Sequence, residues 1–375
     1  MTVLIQISMS MMNTLPVEIL EDILALVIPL RHLNPTSALL VCSTFNAVGR
    51  RLLYTHLRFY SAGQLKRFLL CYGSNGLDVA PCAKGETSPP GRTIPCPPRT
   101  IEFDLANDIA TRLFYHMHAL FLLYTQPSPA SHLNWDALGG GLGVDGLRAV
   151  PTMRSPHSGV KDRLTLDALR LRFNSHTQDT DLEMISRALM LVNPFIFVWT
   201  GPDPLHHFSI AIVPPAVPYL FKALQGFSNL RELKLTHIAF VTRPNPIAFP
   251  AIPSLEKVYI GQATFVNPEC ISAAVLLSGT SPEFKLQEIR LVDAYKESIW
   301  GPRLRRSDLE TAAVGLAQQS GTLQSSLANE IVSETSEFRL DTTAVQNLIH
   351  ERVLCQAKSE RIVGGDRVEF KANLI

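Results

Sequence analysis

The sequence contains no C-x-x-C pair, no Asn-x-Ser/Thr acceptor site free of proline, no Walker loop and no Gly-x-Ser-x-Gly elbow. Its six cysteines, Cys42, Cys71, Cys82, Cys96, Cys270 and Cys355, are scattered, which fits free thiols in a reducing compartment better than a disulfide framework. No apolar run reaches ~18 residues without a charge, so no membrane span is expected. Met1 to Met12 is apolar but lacks the basic start and cleavage site of a secretory leader. Charge of one sign is missing as well, with a net charge of +1 and a pI near 7.7. Binding nucleic acid by bulk charge, or anchoring to a membrane through a polybasic patch, needs a strongly basic surface. These absences point to an intracellular protein, cytoplasmic or nuclear, with neither nucleic acid nor membrane as its partner.

Hydrophobic residues make up 46% and charged residues 18%, the balance of a chain that folds around a core. The motifs that could carry chemistry inside it are weak. Gly141-Leu142-Gly143-Val144-Asp145-Gly146 has G-x-G-x-x-G spacing, but a dinucleotide site needs a strand before it and a helix after it. A Pro- and Ser-rich stretch and Pro151 stand there instead, so a loop is expected. His116 and His118 fall on an apolar helix, and His206-His207 between prolines and a strand, each without cysteine or carboxylate neighbours at metal-ligand spacing. No catalytic residue, metal site or cofactor is expected.

The first sixty residues are more informative. Leu15-Pro16-Val17-Glu18-Ile19-Leu20-Glu21-Asp22-Ile23 opens with proline where a helix accepts it and places acids near the positive end of the helix dipole. Apolar residues at 19, 20, 23, 24, 26 and 27 make more than one stripe. Asn34-Pro35 signals a second short helix leading into Ala38-Leu39-Leu40-Val41, and Phe45, Val48, Leu52 and Leu53 a third. Three short helices cannot absorb that much apolar surface, which implies a partner, either the rest of the chain or another protein.

The pattern Leu15-Pro16-x-Glu18-Ile19-Leu20-x-x-Ile23, then Leu39-x-Val41-Cys42-x-x-Phe45, then Leu52-Leu53-Tyr54 with Leu57 and Phe59, resembles the F-box. The departure lies at Pro29 to Pro35, in a loop that varies within the family. The resemblance implies a non-catalytic substrate receptor of a cullin-type ubiquitin ligase. The helices would dock on a Skp-type adaptor that leads to a cullin, a RING protein and a ubiquitin-conjugating enzyme. Carried over by position, Leu15, Pro16, Ile19, Leu20, Ile23, Val41, Cys42 and Phe45 form the adaptor face together with the bundle's own core, without a clean division between the two. The competing readings are an F-box scaffold that never joins a cullin, and an unrelated α/β enzyme with a helical cap.

Beyond the F-box (13–60), which follows an N-terminal tail (1–12), residues 61–98 read as a linker helix and a flexible insertion, and 99–375 as the body, with a second insertion at about 126–161. In the body, Leu166-x-x-Leu169-x-Leu171, Leu230-x-x-Leu233-x-Leu235, Leu255-x-x-Val258-x-Ile260 and Leu286-x-x-Ile289-x-Leu291 restate one motif. Further strands are expected at 100–105, 195–199 and 337–340. Helices are expected at 109–124, from the Thr180-x-x-Glu183 capping box to about Val192, from Asn267-Pro268 to Gly279, from Ser307 to Gly321, and from Asp341 to Lys358. Strand following helix at steps of roughly 25–37 residues predicts an α/β fold, an irregular leucine-rich-repeat-like solenoid, with an ordinary α/β domain as the alternative. F-box and body together look like the expanded fungal F-box families. In such a sheet the residue between the last two motif apolars faces away from the helices. These residues are Arg170, Lys234, Tyr259 and Arg290, expected to line a basic, partly aromatic groove for an acidic or phosphorylated protein segment.

Overall fold

The computed structural model describes residues 16–27, 39–72, 96–106, 112–125, 163–175, 182–204, 208–241, 247–327, 341–358, 361–363, 366–369 and 372–373. Residues 34–38 of the expected second helix and the strand at 337–340 lie outside these residues, as do the G-x-G-x-x-G stretch, His206-His207 and nearly all of both insertions.

Eight strands run parallel and add in sequence order: β1 (His56–Phe59), β2 (Thr100–Asp104), β3 (Leu164–Arg172), β4 (Val192–Thr200), β5 (Glu232–Thr236), β6 (Lys257–Ala263), β7 (Glu288–Ala294) and β8 (Val353–Ala357). A hairpin of β9 (Arg361–Val363) and β10 (Asp366–Glu369) follows, and β11 (Ala372–Asn373) then closes the sheet antiparallel to β8. The chain is therefore α/β, as its alternation of strand and helix signals predicts.

The register explains the cohesion of the sheet. Leu57, Ile101, Leu169, Phe197, Leu233, Val258, Ile289 and Val353 form one unbroken cross-strand row. Two residues on, Phe59, Phe103, Leu171, Trp199, Leu235, Ile260, Leu291 and Cys355 form a second. All sixteen are buried. On β3, β5, β6 and β7 they are the second and third apolar positions of the repeated motif, and the period of two puts both rows on one face.

Seven helices cover that face: α3 (Ala62–Tyr72), α4 (Leu113–Thr125), α5 (Glu183–Leu189), α6 (Val217–Leu224), α7 (Pro268–Thr280), α8 (Arg306–Leu327) and α9 (Thr342–Arg352). Each contributes residues to the same apolar cluster as the two rows, among them Leu65, Met117, Ile185, Leu220, Val275, Leu309 and Ile349. Two helices stand apart. These are α1 (Val17–Val27) and α2 (Ser43–Thr55), which share a small cluster of Leu20, Leu24, Phe45 and Val48.

The structure corrects several expected boundaries. The helix from Asp341 stops at Arg352, because Val353, Cys355 and Ala357 alternate with half-buried Leu354 and Gln356 and complete the apolar rows as β8. Thr180 of the expected capping box lies outside the described residues, and Leu182, which precedes α5, makes no side-chain cap. Gly321 lies inside α8 and does not end it. Gly279 is helical too, and a Cβ there would come within 2.4 Å of Leu348 Cδ2, so it serves the close approach of α9. The helix α6 was not expected: it follows a 3₁₀ turn at Pro214–Ala216, where clustered prolines obscure the pattern but fit a helix start.

Three strands turn the same corner. His237, Gln262 and Asp293 each adopt positive φ (59°, 48° and 50°), and the strand register aligns them. Histidine and aspartate are among the residues that enter this region most readily. All three are buried, and Asp293 meets Arg303 at 3.2 Å in a pair sealed from solvent. The backbone N–H of Lys358 also donates to Asp293 Oδ1 at 3.0 Å, tying the last parallel strand to this corner.

Candidate functional site

Two surfaces contain the residues that the sequence singled out. The first is on α1. Leu20 and Leu24, one turn apart, are 2% and 1% exposed and face α2. Ile19, Ile23 and Leu26 form a second stripe at i, i+4 and i+7, exposed to 45%, 40% and 76%. Val17 and Leu40 are exposed as well. The structure thus divides the positions carried over from the resemblance. Leu20 and Phe45 are core, Val41 and Cys42 pack at its rim, and Pro16, Ile19 and Ile23 face outward. Leu15 lies outside the described residues. The stretch from Val41 to Phe45 also acquires a local reason. Cys42 Sγ accepts the Phe45 backbone N–H at 3.5 Å, so it caps α2 three residues before the first inward side chain. An ion pair between Arg51 and Glu21 bridges α2 and α1.

The second surface is the sheet face opposite the helices. Arg58, Glu102, Arg170, Val198, Lys234, Tyr259, Arg290 and Leu354 form one cross-strand row. The four expected groove residues are therefore brought into line. Beside them runs a row of His56, Thr100, Ala168, Ile196, Glu232, Lys257 and Glu288. One rung further on, Thr236, Gly261 and Val292 are buried, so the open face ends near the left-handed corner.

The face is less basic than the four residues alone suggest. Arg58 pairs with Glu102 at 3.3 Å, Arg172 with Asp104 at 3.4 Å, Lys257 with Glu232 at 3.9 Å and Arg290 with Glu288 at 2.8 Å. The spacing of the leucine motif revealed which residues share the face, but Arg58, Arg172 and Lys257 pair with acids on neighbouring strands, which that spacing does not show. Tyr259 has a structural part: a Cβ on Gly261 would lie 2.8 Å from its Cε1, and Lys234 Nζ sits 5.0 Å from the ring centre. Burial, with Asp293 nearby, raises the Tyr259 hydroxyl above its usual pKa and keeps it protonated. His56, at the start of the face, is held below the usual histidine value by burial and by Arg58 and Arg99, so it is neutral at pH 7.

Among the described residues, no group of three or more His, Cys, Asp or Glu side chains is placed to hold a metal ion. His116 and His118 lie on α4, partly buried. No helix among the described residues is long and apolar enough to cross a membrane. Comparison with protein-family models, with curated proteins and with solved structures found no match.

Proposed function

We propose that the chain is the substrate receptor of a cullin-type ubiquitin ligase, with α1 and α2 as the core of its F-box. The observation that carries this reading is the double-sided apolar character of α1. Its inner stripe already satisfies the small core, and among the described residues nothing covers the Ile19–Ile23–Leu26 stripe. Apolar anchors at i, i+4 and i+7 are how a helix seats in a partner's groove, and the Skp-type adaptor is the partner that the F-box resemblance supplies.

In this reading the strand–helix body is a leucine-rich-repeat-like solenoid whose helix-free face, with Arg170, Lys234, Tyr259 and Arg290, receives the protein substrate. The chain performs no bond chemistry. It raises the local concentration of substrate beside the ubiquitin-loaded enzyme, and effective concentration replaces diffusion.

Co-expression of the full chain with a Skp-type adaptor and a cullin tests the proposal. A stable complex holding all three is expected. Adaptor without cullin, where other F-box proteins keep both, would make the chain a scaffold. A soluble chain that ignores the adaptor would end the F-box reading.

A further inference from the structure

The row across the helix-free face contains two cations that its own carboxylates leave unmatched. Arg58, Arg172, Lys257 and Arg290 are each paired with an acid. No carboxylate of the described residues lies within ion-pair distance of Arg170 or Lys234, although Lys234 rests over the Tyr259 ring. These two stand on β3 and β5, on either side of Val198 on β4. Val198 and its neighbour in the adjoining row, Ile196, are half-buried apolar side chains, so the two cations flank an apolar notch.

Resting on the receptor reading above, we propose that this notch binds an extended, unphosphorylated protein segment carrying two acidic side chains three residues apart, with an apolar residue between them. The spacing follows from backbone geometry. Strands lie about 4.8 Å apart, so Arg170 and Lys234 project from points about 10 Å apart. A polyproline-type segment crossing the strands returns to the same side every third residue, after about 9.3 Å. Two acids in an acid-x-x-acid pattern then reach the two cations while an apolar side chain between them covers Val198 and Ile196.

The surrounding charges select carboxylate over phosphate. Each subsite offers a single unmatched cation, with Glu102 next to Arg170 in the row and Glu232 two residues from Lys234 on its own strand. A phosphate carries about −1.5 to −2 charges at pH 7 and calls for converging cations. Here it would meet one cation and a nearby acid. A nucleic-acid backbone is disfavoured for the same reason, since Glu102, Asp104, Glu232 and Glu288 interrupt any continuous positive track.

The test is fluorescence anisotropy on the full chain with a peptide of four Glu-Pro-Val repeats. Controls are the same peptide with glutamine for glutamate, one with phosphoserine for glutamate, and a single-stranded oligonucleotide. The glutamate peptide is expected to bind, and the glutamine peptide to bind at least tenfold more weakly. The Arg170→Glu, Lys234→Glu variant should lose at least tenfold while its unfolding curve and its yield of adaptor complex stay unchanged. The proposal is overturned by no binding up to millimolar peptide, by equal binding of the glutamine peptide, or by indifference to the double reversal. Tighter binding of the phosphoserine peptide or of the oligonucleotide overturns it too. Adaptor co-purification is scored separately, so loss of the adaptor reading and loss of this one are told apart.

Discussion

Replacing Ile19 and Ile23 by glutamine separates the outer face of α1 from its core. Glutamine keeps good helix propensity, and it adds no charge to a helix that already holds Glu18, Glu21 and Asp22. At 45% and 40% exposure the two isoleucines leave about 160 Å² to be covered by a partner, worth about 4 kcal/mol at roughly 25 cal/mol per Å². Tenfold in affinity corresponds to about 1.4 kcal/mol, so a loss of between two and three decades in adaptor affinity is expected. The same change should move folding stability by no more than about 0.5 kcal/mol, because both side chains already face water. Leu20→Ala is the opposite case. It removes one of four buried residues from a small cluster and should cost about 2–5 kcal/mol, loosening α1 and α2 while the body stays folded. The assay is isothermal titration against a purified adaptor, paired with hydrogen exchange across residues 16–27 and 43–55. A double glutamine variant that binds like wild type, or one that loses binding only because α1 melts, would refute the reasoning.

Three further outcomes follow from the buried polar groups. Arg303→Met strands the Asp293 carboxylate inside the protein and should cost about 3–5 kcal/mol in urea unfolding. Adding Asp293→Asn, which tolerates the left-handed corner, should recover much of that loss, and an unaltered single variant would mean the pair is idle. Gly201→Ala would set a Cβ 2.6 Å from the His237 ring, which is buried and bonded to Thr236 Oγ1 at 3.0 Å. A loss of about 1–3 kcal/mol is expected, and none if the ring can swing away. Burial pushes the Cys355 thiol from its usual value near 9 up to about 12. The neutral thiol is therefore favoured by the fold, its contribution is complete below pH 9, and it is lost as pH rises from 9 towards 12. Cys355→Val should flatten that part of the stability profile. At pH 8, iodoacetamide should label exposed Cys71 and spare Cys355 in the folded chain, and equal labelling would contradict the burial.

What was legible in the sequence follows the range of the forces involved. The apolar rows show as leucine motifs on β3, β5, β6 and β7 because those strands repeat the same short-range period. The register joins Leu169, Phe197, Leu233, Val258 and Ile289 without a break. The α2 cap did not show, although Cys42 and Phe45 are only three residues apart, because cysteine is not among the usual N-cap residues. The end of α9 at Arg352 did not show, because Val353 to Ala357 becomes a strand only when β7 lies beside it. The charge balance of the helix-free face was hidden for the same reason. Glu102 belongs to β2 and its partner Arg58 to β1, 44 positions apart in sequence but adjacent across the sheet. The motif positions suggested a groove with an excess of bases, and long-range pairing reduces it to two unmatched cations around a valine.

The junction of α2 and β1 links the two surfaces. The helix ends at Thr55 and the strand begins at His56, with no intervening linker. Leu52, near the end of α2, packs on the small cluster, while Tyr54 packs on the main core and meets Phe68 and Tyr72 of α3. Thr55 then accepts the backbone N–H of Arg99, just before β2. One helix thus carries apolar contacts of both clusters within three residues, and its continuation is the first strand of the sheet. A flexible tether would let the proposed receptor face wander relative to the helix stripe and dilute any gain in effective concentration. A helix that continues directly into the first strand of the sheet ties the two together, as the proposed receptor, acting only by placement, requires.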